Sequence, residues 1–178
     1  MNFKKFKFKK IKSTNETAIR LIKKNKIKSG MVVAETQFKG KGQYGRKWIS
    51  YKGNLHVSFF HELSKKNFSI IRITKINCLL VRTLLSKYIK KKIIYKKPND
   101  LLIENKKISG ILQEIIFISK KVFLITGIGI NIKKNPIIKK YPATNMCELA
   151  KKSINKVEVE NNLKQLFEKN LIKLKIIK

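Results

Sequence analysis

Cysteine is almost missing from this chain. Its two residues, Cys78 and Cys147, lie far apart without CxxC spacing, which excludes a zinc site or a disulfide framework. Histidine is as rare: His56 and His61 form no His/Cys cluster for a metal and read as structural or surface residues. No apolar run reaches the length of a membrane span, and the amino terminus, Met1 to Phe6, is basic without an uninterrupted apolar stretch. Neither a membrane helix nor a signal peptide is therefore predicted. A cytoplasmic, reducing setting with no membrane partner follows from these absences. Glycine, tryptophan, aspartate and arginine are scarce too, and their positions are informative. Seven of the eight glycines, the only tryptophan (Trp48), the only aspartate (Asp100) and one of four arginines (Arg46) fall in two windows, residues 37 to 53 and 96 to 131. Against a background of Lys, Ile and Asn, that clustering marks the two windows as the functional ones.

What the chain has in excess is positive charge: 39 Lys and four Arg against ten acidic residues, a net charge of +33. Polyanion binding is the first reading of such an imbalance. However, base readout and bidentate phosphate contacts favour arginine, and the lysines run from end to end, with local runs at Lys4 to Lys12, Lys90 to Lys92 and Lys151 to Lys152. A coding bias toward A and T accounts for this pattern better than a nucleic-acid groove does. Nucleic acid is not expected as a specific partner. With 43% hydrophobic residues interspersed among the charges, 178 residues are expected to form one globular domain, 1–178, around one substantial core.

The first window runs from a β-like lead, Ala34 to Thr36, into Gln37-Phe38-Lys39-Gly40-Lys41-Gly42-Gln43-Tyr44-Gly45-Arg46-Lys47-Trp48. Gly40, Gly42 and Gly45 let the backbone turn with positive φ and bring N–H groups near an anion, and Lys41, Arg46 and Lys47 add charge beside those donors. Such a loop suits an acidic small molecule, a nucleotide phosphate or a carboxylate.

Around it the pattern predicts a weak strand over 3–9 and a helix with Ser13 as N-cap and Glu16 closing a capping box. The hydroxyl and N–H groups of Ser13-Thr14-Asn15 also make a site for a polar ligand. A short buried strand is predicted at Met31 to Ala34, a half-buried alternating strand at Asn54 to His61, and a long core helix over 69–89 that packs the Cys78 thiol. Ile93 to Tyr95 leads into the Pro98-Asn99-Asp100 turn. A hairpin with Asn105 at its tip joins 101–104 to 108–117, a strand covers 122–132, and helices cover 143–149 and 159–174, the second amphipathic. Gly127 and Gly129 inside a strand predict either a close approach by ligand or backbone, or a bulge. The expected class is α/β (α+β), a mixed, mostly antiparallel sheet flanked by helices.

With both windows in view, the chain resembles the catalytic domain of the biotin protein ligases, the biotin–[acetyl-CoA-carboxylase] ligases. The matching residues are Ser13-Thr14-Asn15, Gln37, the Gly40 to Trp48 loop, Lys96 with Pro98-Asn99-Asp100, Lys107-Ile108-Ser109-Gly110-Ile111-Leu112, Glu114 and Gly127-Ile128-Gly129-Ile130-Asn131. They occur in family order over roughly residues 10 to 132, and several motifs in register are far more specific than one.

The resemblance implies a class II aminoacyl-tRNA synthetase-like fold and a two-step reaction. Biotin and ATP give biotinyl-5′-AMP and pyrophosphate, and a lysine of a biotin carboxyl carrier protein then takes the biotinyl group. It assigns biotin to Ser13, Thr14, Asn15, Gln37, Gly40, Lys41, Gly42, Gln43, Lys107 and Gly110, and ATP to Lys41, Arg46, Trp48, Lys96, Asn99, Lys107 and Asn131. Lys107, Arg46 and Asp100 become the catalytic candidates, Asp100 either orienting a lysine or acting as base toward the incoming amine. Mg2+ is expected to arrive with ATP, with no side-chain ligands assigned, and the protein to be a monomer or homodimer. Lys41 and Gln43 stand where the family usually carries arginine, and Lys97 where it usually carries tryptophan. No winged helix-turn-helix domain is expected before the catalytic part and no SH3-like domain after it. The nearest rivals are a lipoate ligase or octanoyltransferase of the same superfamily, the latter needing a nucleophilic cysteine beside a lysine, and a non-catalytic polyanion-binding module.

Overall fold

A computed structural model of the chain describes residues 2–63, 69–138 and 141–175. Strand β1 (Lys5–Ile11) leads through helix α1 (Thr14–Asn25) to β2 (Ser29–Gln37), which pairs with β1 in parallel. All other pairings are antiparallel and join β3 (Leu55–Leu63), β4 (Ile94–Lys96), β5 (Asp100–Ile103), β6 (Lys106–Ile118) and β7 (Lys121–Ile130). The result is one mixed sheet in the order β1-β2-β3-β7-β6-β5-β4, as the sequence pattern predicts.

Its two faces are covered unequally. Directly paired residues share a face, so the register puts Val33, Val57, Ile128 and Ile111 on one side, under α2 (Ile70–Leu85) and α4 (Lys156–Lys175) in the main core. The opposite side carries a smaller cluster under α1, built from Ala18, Ile22, Val32, Phe60, Phe123 and Ile125. Beyond α1 that second face continues through Ala34, His56, Gly129 and Gly110 with no helix over it. This helix-free stretch is where both glycine-bearing windows meet.

Several expectations need correction. Leu55 to His61 is buried throughout instead of alternating, because β3 is an inner strand with both faces covered. Gly127 and Gly129 sit in unbroken register with both neighbours, so they mark no bulge. The first tail helix is shorter than expected, α3 (Met146–Ala150), since Ala143 bridges to Lys107 and Asn145 caps the helix by accepting from the Glu148 N–H at 2.9 Å. Asn155 starts α4 earlier than the apolar stripe suggests, accepting from the Val157 N–H at 2.9 Å. The hairpin tip is as expected: Glu104 and Asn105 both adopt positive φ, 50° and 60°, the pattern of a two-residue primed turn.

One side chain has a larger structural role than its sequence position suggests. Asn54 is fully buried, and its Oδ1 accepts from the N–H groups of Ile132, Lys133 and Lys134 at 3.0, 3.0 and 3.1 Å while its Nδ2 donates to the Lys134 carbonyl at 2.7 Å. It turns the chain out of β7 and thereby sets the path of the segment that returns to Lys107. Replacement by alanine leaves several backbone donors without their acceptor, so Asn54→Ala is expected to lower stability by about 3 kcal/mol or more in urea unfolding. A loss below about 1 kcal/mol would show that the clamp is dispensable.

Candidate active site

Helix α1 begins on the second face, and its first residues meet the sheet through polar groups. Ser13 is the N-cap but makes no side-chain capping bond, so the expected capping box does not form. Glu16 turns instead to Lys12 at 3.0 Å and Lys41 at 2.7 Å. The Thr14 N–H and hydroxyl both donate to Gln37 Oε1, at 2.7 and 3.1 Å, and Gln37 Nε2 donates to Ser50 at 3.1 Å. The Ser58 hydroxyl lies within hydrogen-bond distance of Thr14 Oγ1, at 2.7 Å, and of Asn15 Oδ1. Asn15 Nδ2 donates to Glu114 at 2.6 Å. A Cβ at Gly127 would collide with the Asn15 amide, so this glycine gives the network its seat.

The glycine loop folds back on itself. Gly42 N–H donates to the Arg46 carbonyl at 2.7 Å and Trp48 N–H to the Gly40 carbonyl at 2.9 Å, with Tyr44 and Gly45 at the positive φ values of 54° and 72°. A Cβ on Gly40 would stand 2.5 Å from the Trp48 carbonyl oxygen, which explains a glycine there. Lys41 ties the root of this flap to α1 through Glu16; the shared hydrogen bond holds the Glu16 carboxyl below its ordinary range and the Lys41 ammonium above its own. At the tip the exposed Arg46 guanidinium lies 5.4 Å from the Tyr141 ring. An open cleft of about 1270 Å³ runs beneath the flap, bounded by Glu16, Gln37, Trp48, Leu112 and Glu114.

Trp48 connects that cleft to the second window. A Cβ on Gly129 would overlap its indole, and one on Gly110 would stand 3.1 Å from both the ring and the Lys107 stem. The Lys107 ammonium sits 5.5 Å from the Trp48 ring centre and pairs with Asp100 at 2.7 Å. The backbone of Lys107 is fixed as well: its N–H donates to the Pro142 carbonyl at 2.8 Å, and its carbonyl accepts from Thr144 N–H at 3.0 Å and from Asn131 Nδ2 at 3.4 Å. Flap, indole and lysine thus share one side of the sheet.

Of the residues singled out in the sequence, Thr14, Asn15, Gln37, Gly40 to Gln43, Trp48, Asp100, Lys107 and Gly110 converge on this face, and Ser13 is buried as the N-cap of α1 beside them. Others sit differently. Asn131 is buried with its amide on the carbonyls of Lys107 and Thr144, Asn99 donates to the Ile111 carbonyl at 2.7 Å, and Lys96 is exposed on edge strand β4 opposite Asp100. Among the described residues no group of three or more His, Cys, Asp or Glu is placed to hold a metal. No described helix is long and apolar enough to cross a membrane. Cys78 is fully buried and its thiol is pushed up to about 12 by burial, which leaves it no thiolate for nucleophilic work.

Two residues of this face escape a reading of the sequence. Ser58 and His56 are polar positions two apart within the apolar first half of β3, a signal that both point to one surface. His56 is 1% exposed, takes the Trp48 Nε1–H on its Nδ1 at 3.3 Å, and faces the Tyr51 carbonyl with Nε2 at 3.3 Å.

By fold the chain falls among the mixed-sheet protein ligases. It superimposes with a TM-score of 0.80 on a biotin protein ligase from Aquifex aeolicus in complex with biotin and ATP, at 33% identity over 97% of this chain and 72% of that one. A biotin protein ligase from Leishmania major in complex with biotinyl-5-AMP matches with a TM-score of 0.78 at 26% identity, over 98% of this chain and 78% of that one. The chain belongs to the biotin/lipoate A/B protein ligase family, whose model matches residues 7–131. Among curated relatives it is 33% identical over 125 residues to the bifunctional ligase/repressor BirA of Escherichia coli, covering 68% of this chain and 38% of that protein. The match therefore spans less than half the length of that relative.

Burial first, then the nearby Lys156 charge, lowers the His56 pKa to about 4, whereas the unfolded imidazole titrates near 6.5. The neutral ring therefore favours the folded state, fully above about pH 6.5, and this contribution disappears as pH falls toward 4. It amounts to about 3 kcal/mol. Urea unfolding between pH 7 and 4 is expected to show that loss, and a His56→Asn variant to show a slope smaller by one proton. Equal slopes would place the acid sensitivity elsewhere.

Proposed function

We propose that the chain joins biotin to a lysine of a biotin carboxyl carrier protein, by way of biotinyl-5′-AMP made from ATP. One observation carries this reading: a lysine paired with an aspartate, an indole wall and a glycine flap lie on the same sheet face as a chain of interlocked amides and hydroxyls. The family match and the two neighbours named as complexes with biotin and ATP and with biotinyl-5-AMP support it.

In the first step an oxygen of the biotin carboxylate attacks the α-phosphorus of ATP, the bond to pyrophosphate breaks, and pyrophosphate leaves. Both partners are anions, so their repulsion must be screened before the atoms can meet. Lys107 supplies the fixed positive charge, and Asp100 orients its ammonium. The biotin ureido group, with one carbonyl and two N–H groups, needs donors and acceptors together. Thr14, Asn15 and Gln37, joined by Ser58, offer both and meanwhile bond to one another and to their neighbours. In the second step the carrier amine attacks the mixed anhydride carbonyl and AMP leaves. The Gly40 to Arg46 flap keeps water from the anhydride until then. Magnesium, neutralising phosphate charge, would travel with ATP. An ATP-using ligase with unpaired thiols fits a cytoplasmic setting.

Incubation with labelled biotin, MgATP and an apo carrier domain is expected to label the carrier. No label, together with steeply salt-dependent RNA binding, would favour a polyanion-binding module. Lys107→Ala is expected to cut biotinyl-AMP synthesis by about 100-fold or more with little change in melting temperature, because the side chain is half-buried at the end of a strand. Unchanged synthesis would remove Lys107 from the chemistry. Gln43→Arg restores a flap charge and is expected to reduce stray labelling of bystander protein; an unchanged or greater spill would deny Gln43 a part in retention.

A further inference from the structure

Trp48 stands on a loop, yet its indole lies flat on the sheet. The glycines opposite explain why there is room, and they do not explain what keeps the ring there. We propose that His56 is a positioning residue: its Nδ1 holds the Trp48 indole across Gly110 and Gly129, beside the Lys107 ammonium, and so fixes the wall against which the ATP base packs. This rests on the biotin ligase reading of the same face and goes beyond it, by naming the group that sets the nucleotide side of the site.

The geometry supplies the argument. His56 is directly opposite Gly129, and Gly129 opposite Gly110, so the imidazole rises from the strand next to the two positions that the indole covers. Its Nε2 faces the Tyr51 carbonyl at 3.3 Å, and a carbonyl only accepts, so the proton belongs on Nε2. That leaves Nδ1 as an acceptor, the one role an indole N–H can use, at 3.3 Å. The ring is almost wholly buried, and its charged form is disfavoured by that burial and by Lys156, so the acceptor persists at neutral pH. The second contact of the indole is with Lys107, whose ammonium lies 5.5 Å from the ring centre. Release of the indole therefore disturbs the base wall and the surroundings of Lys107 together.

Trp48 is the only tryptophan, so its emission and its single indole N–H resonance can be read without ambiguity. In the wild type the indole N–H is expected to exchange with solvent far more slowly than free indole. His56→Leu is expected to shift the emission to the red, to increase quenching by acrylamide, and to raise KM for ATP about tenfold with a smaller effect on kcat. His56→Asn, whose Oδ1 falls where Nδ1 lies, should return all three toward the wild type. An unprotected indole N–H in the wild type would overturn the proposal, and that measurement decides it even if His56→Leu does not fold. A folded His56→Leu protein with unchanged emission, or with shifted emission and unchanged KM, would overturn it as well. Absence of biotin-dependent pyrophosphate release from the wild type would instead overturn the ligase reading, and the exchange and emission data would still decide the His56–Trp48 contact.

Discussion

Everything on the working face depends on three places where a strand carries no side chain. Gly127, Gly129 and Gly110 lie next to one another across β7 and β6, and at each an added Cβ would meet Asn15, Trp48 or Lys107. An inner strand gains stability from bulky residues, and glycine there gives up packing and backbone entropy. The neighbouring residues of β7 on the other face, Ile128 and Ile130, stay in the main core and offset that loss. The sheet is thus packed by helices along one side, while on the other α1 covers only part and the backbone at these glycines is left for other groups. Onto the bare backbone come the first turn of α1, the indole and the lysine stem.

Two kinds of attachment then hold those groups, and they differ in strength. In the amide and hydroxyl chain from Gln37 through Thr14, Ser58 and Asn15 to Glu114, the three central residues are buried and each bonds to its neighbours. The flap is held by the Lys41–Glu16 pair and the Arg46–Tyr141 contact, both near solvent, where such contacts contribute roughly 0 to 1 kcal/mol. A firmly bonded floor under a weakly fastened cover is the arrangement that the proposed reaction of two anions, shielded from water, calls for. Lysine at position 41 reaches Glu16, although it lacks the two-pronged grip of arginine.

Much of this was legible in the sequence, and the exceptions have physical causes. The hairpin at Asn105, the long helix over Cys78 and the sheet class follow from local chemistry and periodicity, which depend on near neighbours. The capping box expected at Ser13 does not form because Glu16 has a better partner in Lys41, which only the tertiary fold brings near. The alternation expected for β3 vanished because strand order, invisible to a pattern of two, decides whether both faces are covered. His56 and Ser58 carried the weakest signal of all. Polar residues in a strand read as ordinary until the glycines opposite them, Gly129 and Gly127, are known.

The central claim is that this face activates biotin as an acyl adenylate, and the most direct measurement of it needs no carrier protein. Isotopic pyrophosphate is supplied with ATP, and its return into ATP is followed with and without biotin. Reversible adenylation at this site predicts exchange that appears only when biotin is present. Exchange that ignores biotin, or that occurs equally well with octanoate or lipoate, would contradict the account.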